Sequence, residues 1–287
     1  MPLLKYGTRN KVIYYTQGEY ESDNLANFWR YSTASNGQIT LQEYLGTSTG
    51  ISVPKKNGLT IIGSLSSNRP FYNNQNITSV GLNNVPWVNN NMAYGFFNCS
   101  NLIYISDINP YVNTIAVTFQ NCYNFNQPIQ VPNSVTNMYS TFYRCNNFNA
   151  PVFLGNSVET LFQTFSHCTN FNQPIQIPNS VTVMSSTFYD CQSFNQNVQI
   201  PNSVVTMPQA FFNCKALTGT ISIFSENIDS VSSCFKDTSL PKDVYIPYNY
   251  ANNERTVTFN SFVTAGYLDS SGASTGINGV TMHDLNA

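Results

Sequence analysis

The stretch that decides the fold covers residues 171–191 and reads FNQPIQIPNSVTVMSSTFYDC. The same pattern returns 23 residues later, where residues 194–214 read FNQNVQIPNSVVTMPQAFFNC. The interval of 23 also separates a series of cysteines, which comprises Cys99, Cys122, Cys145, Cys168, Cys191 and Cys214. A repeat of roughly 20–29 residues with identical apolar columns is typical of a solenoid, because each coil can bury its apolar face only against the next coil.

Apolar columns flank this cysteine series. A phenylalanine lies three residues before each cysteine, and a leucine or phenylalanine lies three residues after it. The seventh cysteine, Cys234, falls out of step, and its flanking sequence aligns it with Thr187 and places Thr238 in the cysteine column. The repeat that contains Cys234 therefore carries one inserted residue.

Each coil is predicted to contain two extended pieces and one helical turn. The piece Ile175–Ile177 alternates apolar and polar residues between two prolines, which indicates a short strand. A second extended piece covers residues 181–184, and residues 185–191 are long enough for a single helical turn that buries Phe188. We expect the Ile175–Ile177 piece to form the main sheet.

The repeat resembles a known family. Residues 178–184 (PNSVTVM) followed by residues 187–191 (TFYDC) resemble the BspA-like leucine-rich repeat, and residues 171–175 (FNQPI) resemble a repeat of mycoplasma and Gram-positive surface proteins. The resemblance covers roughly residues 80–247, with phenylalanine replacing the usual leucine after the cysteine in four repeats. It implies adhesion and recognition of host proteins or cell surfaces rather than catalysis. The predicted fold is a β-rich leucine-rich-repeat solenoid with 23-residue coils, short strands and single helical turns, capped at both ends.

Three regions are predicted along the chain. Residues 1–50 form an N-terminal β cap or attachment region with strand candidates at Asn10–Thr16 and Gly37–Tyr44. Residues 51–248 form the solenoid, and residues 249–287 form a C-terminal cap or tail. Terminal repeats of a solenoid depart from the consensus because they must present a polar outer face.

The composition excludes several classes of protein. Charged residues make up 9% of the chain and the net charge is −2, so no basic surface for nucleic acid is expected. No apolar run is long enough for membrane insertion, and the N-terminal residues lack the apolar core of a secretory signal. The spacing of the cysteines is wrong for a metal site, and we expect no metal and no other cofactor.

The cysteine column and the asparagine excess both favour a structural interpretation. Stacked coils bring successive cysteines within disulfide range, but parallel side chains favour packing of free thiols in the core. The chain holds 41 asparagines, many at fixed turn positions. Asparagine suits turns, and stacked asparagine side chains hydrogen bond along a ladder.

A binding face should instead vary from coil to coil. Such variation occurs in the outward position of the strand and in the two residues after each core phenylalanine. Exposed aromatic and charged side chains in these columns suit contact with a protein or glycan. The predicted partner-binding residues are Tyr143, Phe153, Tyr189, Phe212, Arg144 and His167.

Catalysis is not expected. The carboxylates of Asp107, Glu159 and Asp190 occupy three different columns, and the two histidines, His167 and His283, lie far apart. We therefore predict a recognition or adhesion protein that binds a cell-surface protein or glycan. An adhesin-like chain without an export signal fits a bacteriophage virion component such as a tail fibre. The alternatives are a structural virion protein that contacts other virion proteins or forms an oligomer, and a secreted bacterial adhesin located outside the cell or on its surface.

Overall fold

A computed structural model describes residues 29–54, 60–62, 69–238, 242–247, 256–269 and 271–285. Within these ranges, successive coils stack into a β-rich solenoid, which confirms the fold class predicted from the 23-residue period. The predicted strand at Asn10–Thr16 lies outside the described residues.

The strands are short, and most pair in parallel with the equivalent piece of the next coil. They form sheets in the orders β1-β2-β4, β3-β5-β6, β7-β8 and β9-β10-β11-β12, and only β1 and β2 pair as antiparallel neighbours among these strands. Their bounds are β1 Trp29–Thr33, β2 Ile39–Tyr44, β3 Gly50–Ser52, β4 Thr60–Ile62, β5 Ser79–Gly81, β6 Tyr104–Ile105, β7 Ile129–Gln130, β8 Val152–Phe153, β9 Val198–Ile200, β10 Ile221–Ile223, β11 Lys242–Ile246 and β12 Val280–Asp284.

Helices occupy little of the described chain. Helix α1 (Val257–Thr264) begins after Thr256, whose side-chain oxygen accepts a hydrogen bond from the Phe259 backbone N–H. Two short 3-10 helices cover Val88–Asn90 and Ile277–Gly279. Both extended pieces of the repeat stack from coil to coil, but residues 175–177 form no strand, so the expectation that the Ile175–Ile177 piece forms the main sheet is wrong. The first supplies strands β7 to β10, and the second forms a continuous line of isolated parallel bridges from Asn91 to Ser230.

The predicted single helical turn in each coil is wrong. Residues 185–191 instead form consecutive tight turns, in which Ser186 and Asp190 have left-handed φ values of 53° and 58°. Backbone N–H groups alternate there. Every second N–H closes a turn within its own coil, as Cys191 does to Phe188, and those between them donate to the next coil, as Asp190 does to Phe212. In a helix, these N–H groups would all bond within their own coil. The tight turns also allow bonds to the next coil, and these additional bonds favour turns over a helix.

The core contains two parallel ladders of phenylalanine rings. In the first ladder, consecutive ring centroids lie 5.0–5.7 Å apart, and the rings are Phe71, Phe96, Phe119, Phe142, Phe165, Phe188, Phe211 and Phe235. A second ladder runs beside it, with centroids 5.8–6.1 Å apart, through Phe125, Phe148, Phe171 and Phe194. Within one coil the two rings are only 4.4–4.6 Å apart. The phenylalanine that replaces the usual leucine therefore builds a second stack.

The cysteine column is a packing column, as predicted. All seven cysteines are free and buried. The thiol of Cys122 donates to the backbone carbonyl of Phe96 at 3.0 Å, and the same bond recurs in the following coils, for example from Cys191 to Phe165. Burial raises the pKa of these thiols, and Cys234 reaches about 12. Cys234 lies in the column of Thr187, since their N–H groups close equivalent turns to Val231 and Met184.

Asparagine ladders stabilise the turns, which also agrees with the sequence prediction. The Asn124 side chain donates to the Asn101 side chain at 3.3 Å, and Asn147 continues the ladder to Asn124. In a second column, the Asn149 side-chain oxygen accepts from the Asn172 backbone N–H at 2.8 Å. The asparagine excess therefore provides hydrogen bonds between coils.

The column of strands from β7 to β10 is broken between β8 and β9, which belong to different sheets. The segment at residues 175–177 has the sequence of a strand, yet it makes no backbone hydrogen bond to either neighbouring coil in the part of the chain described. A surface groove of about 650 Å³ opens there, lined by Leu154, Asn156, Gln176, Ile177, Pro178, Asn179 and Ser180. On the turn side the same coils stay bonded, for example from the His167 N–H to the Tyr189 carbonyl at 2.7 Å.

Both ends of the described stack are covered by added elements. At the first end, Trp29 of β1 packs on Tyr44 and Phe71, with ring centroids 5.1 and 5.9 Å away. At the other end β12 pairs with β11, and the buried Lys242 amine donates to the carbonyl oxygen of Asn278 at 2.7 Å. The boundaries at residues 50/51 and 248/249 stay a prediction.

Candidate functional site

The candidate site is a double row of side chains that we call the ridge. Its first row holds the residue after each phenylalanine of the first ladder, namely Tyr72, Phe97, Gln120, Tyr143, Ser166, Tyr189, Phe212 and Lys236. Its second row holds the next residue of each coil, namely Asn73, Asn98, Asn121, Arg144, His167, Asp190, Asn213 and Asp237. Seven steps between stacked coils, at about 4.8 Å each, make the ridge about 34 Å long.

The backbone of the turns fixes the second row. Every residue in it has a left-handed φ between 55° and 62°. Asparagine and aspartate adopt this conformation more readily than other residues with a Cβ atom, which explains their frequency there. Arg144 and His167 depart from that pattern. The N–H of each second-row residue from Asn98 to Asn213 donates to the first-row carbonyl of the next coil, so the ridge is held at the spacing of the stack.

Aromatic rings contact one another along the first row. Tyr189 and Phe212 stack in parallel, with centroids 4.6 Å apart and an interplanar angle of 3°. Tyr72 and Phe97 stack in the same way at 4.9 Å. The His167 ring lies between the rings of Tyr143 and Tyr189, 5.3 Å from each. The ridge therefore has two stacked pairs and one histidine bridged by two tyrosines.

Asp190 is the centre of a polar network in the second row. Its Oδ2 lies 3.0 Å from His167 Nδ1 on the preceding coil. Its Oδ1 accepts hydrogen bonds from the side-chain amides of Asn213 and Gln192. The side chains of His167 and Asp190 are 29% and 18% exposed, so the network is partly shielded from water.

Cations lie over aromatic rings at several points of the ridge. The Arg144 guanidinium carbon is 5.3 Å from the centre of the Tyr143 ring, and Lys236 Nζ is 5.7 Å from the Phe212 ring. Beside the first coils, Arg69 lies 4.5 Å over the ring of Tyr94. Such contacts orient the cations while leaving much of their charge available to solvent.

The ridge brings together five of the six residues that the sequence singled out, Tyr143, Arg144, His167, Tyr189 and Phe212. The sixth, Phe153, lies in strand β8 with 56% of its surface exposed, and no ring contact joins it to the ridge among the described residues.

The sequence analysis missed four ridge residues, Tyr72, Asn73, Lys236 and Asp237. Their coils depart from the period of 23, since Phe71 precedes Phe96 by 25 residues and Phe235 follows Phe211 by 24. Aligning the coils on their first-ladder phenylalanines, rather than on their cysteines, would have placed all four residues in the ridge.

Each histidine of the described chain pairs with an aspartate. In the described ranges, the recorded side-chain hydrogen bond of His167 goes to Asp190, and no serine, threonine or cysteine side chain bonds to its ring. His283 pairs with Asp243 at 2.7 Å in the C-terminal strands, away from the ridge. Over the same ranges no group of three or more His, Cys, Asp or Glu side chains could hold a metal ion. None of the described helices has the length and apolarity to cross a bilayer.

A family comparison matches most of the solenoid. The sequence model described as "Mycoplasma protein of unknown function, DUF285" matches residues 66–176, 113–224 and 153–246, which together span more than half of the chain. The chain belongs to this family. Its repeats include every coil of the ridge, so the ridge is built on the part of the chain that defines family membership. No curated protein matches the chain.

Solved structures with a similar fold include three leucine-rich repeat proteins. A leucine-rich repeat protein of T. pallidum has 17% identity and a TM-score of 0.39, covering 84% of this chain and 95% of that one. A leucine-rich cell-surface protein of Faecalibacterium prausnitzii has 15% identity and a TM-score of 0.42, covering 90% and 93%. A leucine-rich repeat protein of Bacteroides ovatus has 18% identity and a TM-score of 0.40, covering 76% and 69%. These likenesses concern the fold alone.

Proposed function

We propose that the chain is a non-catalytic recognition protein that binds a cell-surface protein or glycan through the ridge. The observation that carries this proposal is the contrast between the columns. The core columns repeat phenylalanine and cysteine coil after coil, whereas the ridge changes its side chains at nearly every coil. Packing alone explains identical columns, but a row of varied aromatic, amide and charged side chains has the composition of a protein contact surface.

Binding of the full chain to intact bacterial cells tests this proposal. A Tyr143→Ala/Tyr189→Ala variant should lose at least about tenfold in affinity, because large aromatic side chains dominate the energy of protein interfaces. The matched control is Tyr111→Ala/Phe224→Ala, which removes two exposed rings, 71% and 40% accessible, away from the ridge. Equal loss in both variants, or loss in the control alone, would contradict the proposal.

As the carrier of this recognition protein we propose a bacteriophage particle, with a secreted bacterial adhesin as the alternative. A narrow rod with a continuous ridge suits presentation to a host surface in either setting. An antibody against the chain should label purified phage particles from a lysed culture. Labelling of the bacterial surface without labelling of particles would favour the adhesin.

A further inference from the structure

The charge distribution and the ring geometry of the ridge narrow the class of partner. We propose that the ridge binds an acidic polypeptide surface, an inference that rests on the recognition function proposed above. The partner is thereby distinguished from a neutral glycan and from a basic protein.

Basic residues of the described chain converge on the ridge. Two lie away from the ridge, where Arg30 pairs with Glu43 at 2.9 Å and Lys242 is buried against backbone carbonyls. The other four lie on the ridge or beside it, and they are Arg69, Arg144, Lys215 and Lys236. Lys215 occupies the column of Gln192, whose amide reaches the carboxylate of Asp190 in the second row.

Acidic residues show the opposite distribution. In the described ranges, eight of them lie off the ridge, namely Glu43, Asp107, Glu159, Glu226, Asp229, Asp243, Asp269 and Asp284. The ridge itself holds Asp190 and Asp237, and Asp190 is already bonded to three side-chain donors. The rows themselves hold two basic residues, Arg144 and Lys236, against these two carboxylates, and Arg69 and Lys215 beside them bring this edge to four basic and two acidic residues. Such a field attracts an acidic partner and repels a basic one.

The aromatic rings of the ridge also favour an acidic partner. Tyr189 and Phe212 cover each other's faces, as do Tyr72 and Phe97. A partner lying along the ridge therefore meets ring edges and tyrosine hydroxyls between the stacked faces. Aromatic edges carry a partial positive charge, which favours carboxylate and carbonyl oxygens. The covered faces leave little room for a neutral sugar to stack.

The length of the ridge suits a polypeptide. An extended segment of about ten residues, at about 3.3 Å per residue, spans the same distance as the ridge. Its acidic side chains can reach Arg144 and Lys236, which lie four coils apart.

Arg144 supplies an independent argument. It holds a left-handed φ of 59° in a column where the other coils place asparagine, aspartate or histidine. The guanidinium is exposed and lies over Tyr143, so this turn presents a cation where most coils present a neutral or acidic side chain.

Binding of short poly-L-glutamate to the full chain at low ionic strength tests the inference. Arg144→Asn and Lys236→Gln should each weaken binding up to about fivefold, the upper range for an exposed ion pair. Arg144→Asn also relieves backbone strain, so its effect cannot arise from unfolding. Arg30→Gln is the matched control because it removes a cation away from the ridge, and it should leave the affinity unchanged. Added salt should weaken binding by the wild-type chain.

The reference probes are poly-L-lysine and heparin. Absence of poly-L-glutamate binding, or binding that is indifferent to the ridge variants, would overturn the inference. Ridge-dependent binding of heparin alone would overturn the polypeptide assignment in favour of an anionic glycan. In each of these cases, cell binding that depends on Tyr143 and Tyr189 would still uphold the recognition function, so the two failures can be told apart.

Discussion

His167 and Asp190 occupy the same column of adjacent coils, and their side chains meet with Nδ1 and Oδ2 3.0 Å apart. The pair joins two coils across the ridge, between the rings of Tyr143 and Tyr189. The Asp190 carboxylate also accepts hydrogen bonds from the side-chain amides of Asn213 and Gln192, so its hydrogen-bond partners lie within the protein. The most central carboxylate of the ridge is satisfied internally, which leaves the cations to define how the surface meets a partner.

Removal of this carboxylate should strengthen binding to an acidic probe. Asp190→Asn keeps a residue that tolerates the left-handed backbone and deletes one negative charge. We expect affinity for poly-L-glutamate to rise by up to about fivefold. The control is Asp229→Asn, which removes an exposed carboxylate away from the ridge. Isothermal titration of both variants provides the measurement, and an equal rise in the two would argue against a local effect.

The phenylalanine ladder should dominate stability. Phe188 is fully buried and lies 4.5 Å from Phe194 and 5.4 Å from Phe211, measured between ring centroids. Phe188→Ala should lower the free energy of unfolding by about 3–5 kcal/mol, because it leaves a cavity between stacked coils. Phe153→Ala, at an exposed ring, should change it by less than about 0.5 kcal/mol. Urea denaturation compares the two, and similar values would refute the stacked-ring core.

The buried thiols should be inert in the folded protein. Burial raises the pKa of every cysteine, so thiolate forms only after unfolding. The folded state then holds protons that the unfolded state loses above the ordinary thiol pKa of about 8.5, and stability should fall as the pH rises beyond that value. Labelling with a thiol-specific disulfide reagent at pH 8 should require denaturant. Rapid labelling without it would show that the column is accessible.

Arg144 should be a site where stability and binding oppose each other. Arg144→Asn should raise the free energy of unfolding by about 1 kcal/mol, since asparagine adopts the left-handed conformation at lower cost. Lys236→Asn removes the other ridge cation at a position without a positive φ, so it should bring no such gain. Thermal unfolding of the two variants supplies the comparison, and an unchanged or lower midpoint for Arg144→Asn would contradict the strain assigned to this residue.

The solenoid could be predicted from the sequence because its determinants are periodic. The interval of 23 residues between Cys122 and Cys145 is the number of residues in one coil. Two residues separated by this interval therefore occupy equivalent positions in adjacent coils. Buried columns, the asparagine ladders and the out-of-step position of Cys234 all follow from that rule. The tight turns of residues 185–191 did not follow from it. An apolar residue every third or fourth position is compatible with a helical turn, and only the bonds to the next coil select the left-handed turns.

The ridge was only partly predictable for a related reason. Tyr189 and Phe212 could be placed in one column by counting, and the structure brings their rings together. Phe153 satisfied the same criterion of an exposed aromatic residue in a variable column, but counting does not reveal that its column lies on another side of the coil. To tell the strand side of a coil from its turn side, the path of the chain between the strand and the turns must be known.

The break in the strand column at residues 175–177 leaves the two sides of these coils unequally bonded. In a stack held by nearest-neighbour contacts, the junction with the fewest hydrogen bonds opens first. Here the strand side is released while the turn side stays bonded through His167 and Tyr189. Bending at this junction would therefore pivot about the ridge, widening the groove on the strand side and leaving the spacing of the ridge residues unchanged. Such a bend would leave unaltered the pattern that the molecule presents to a partner.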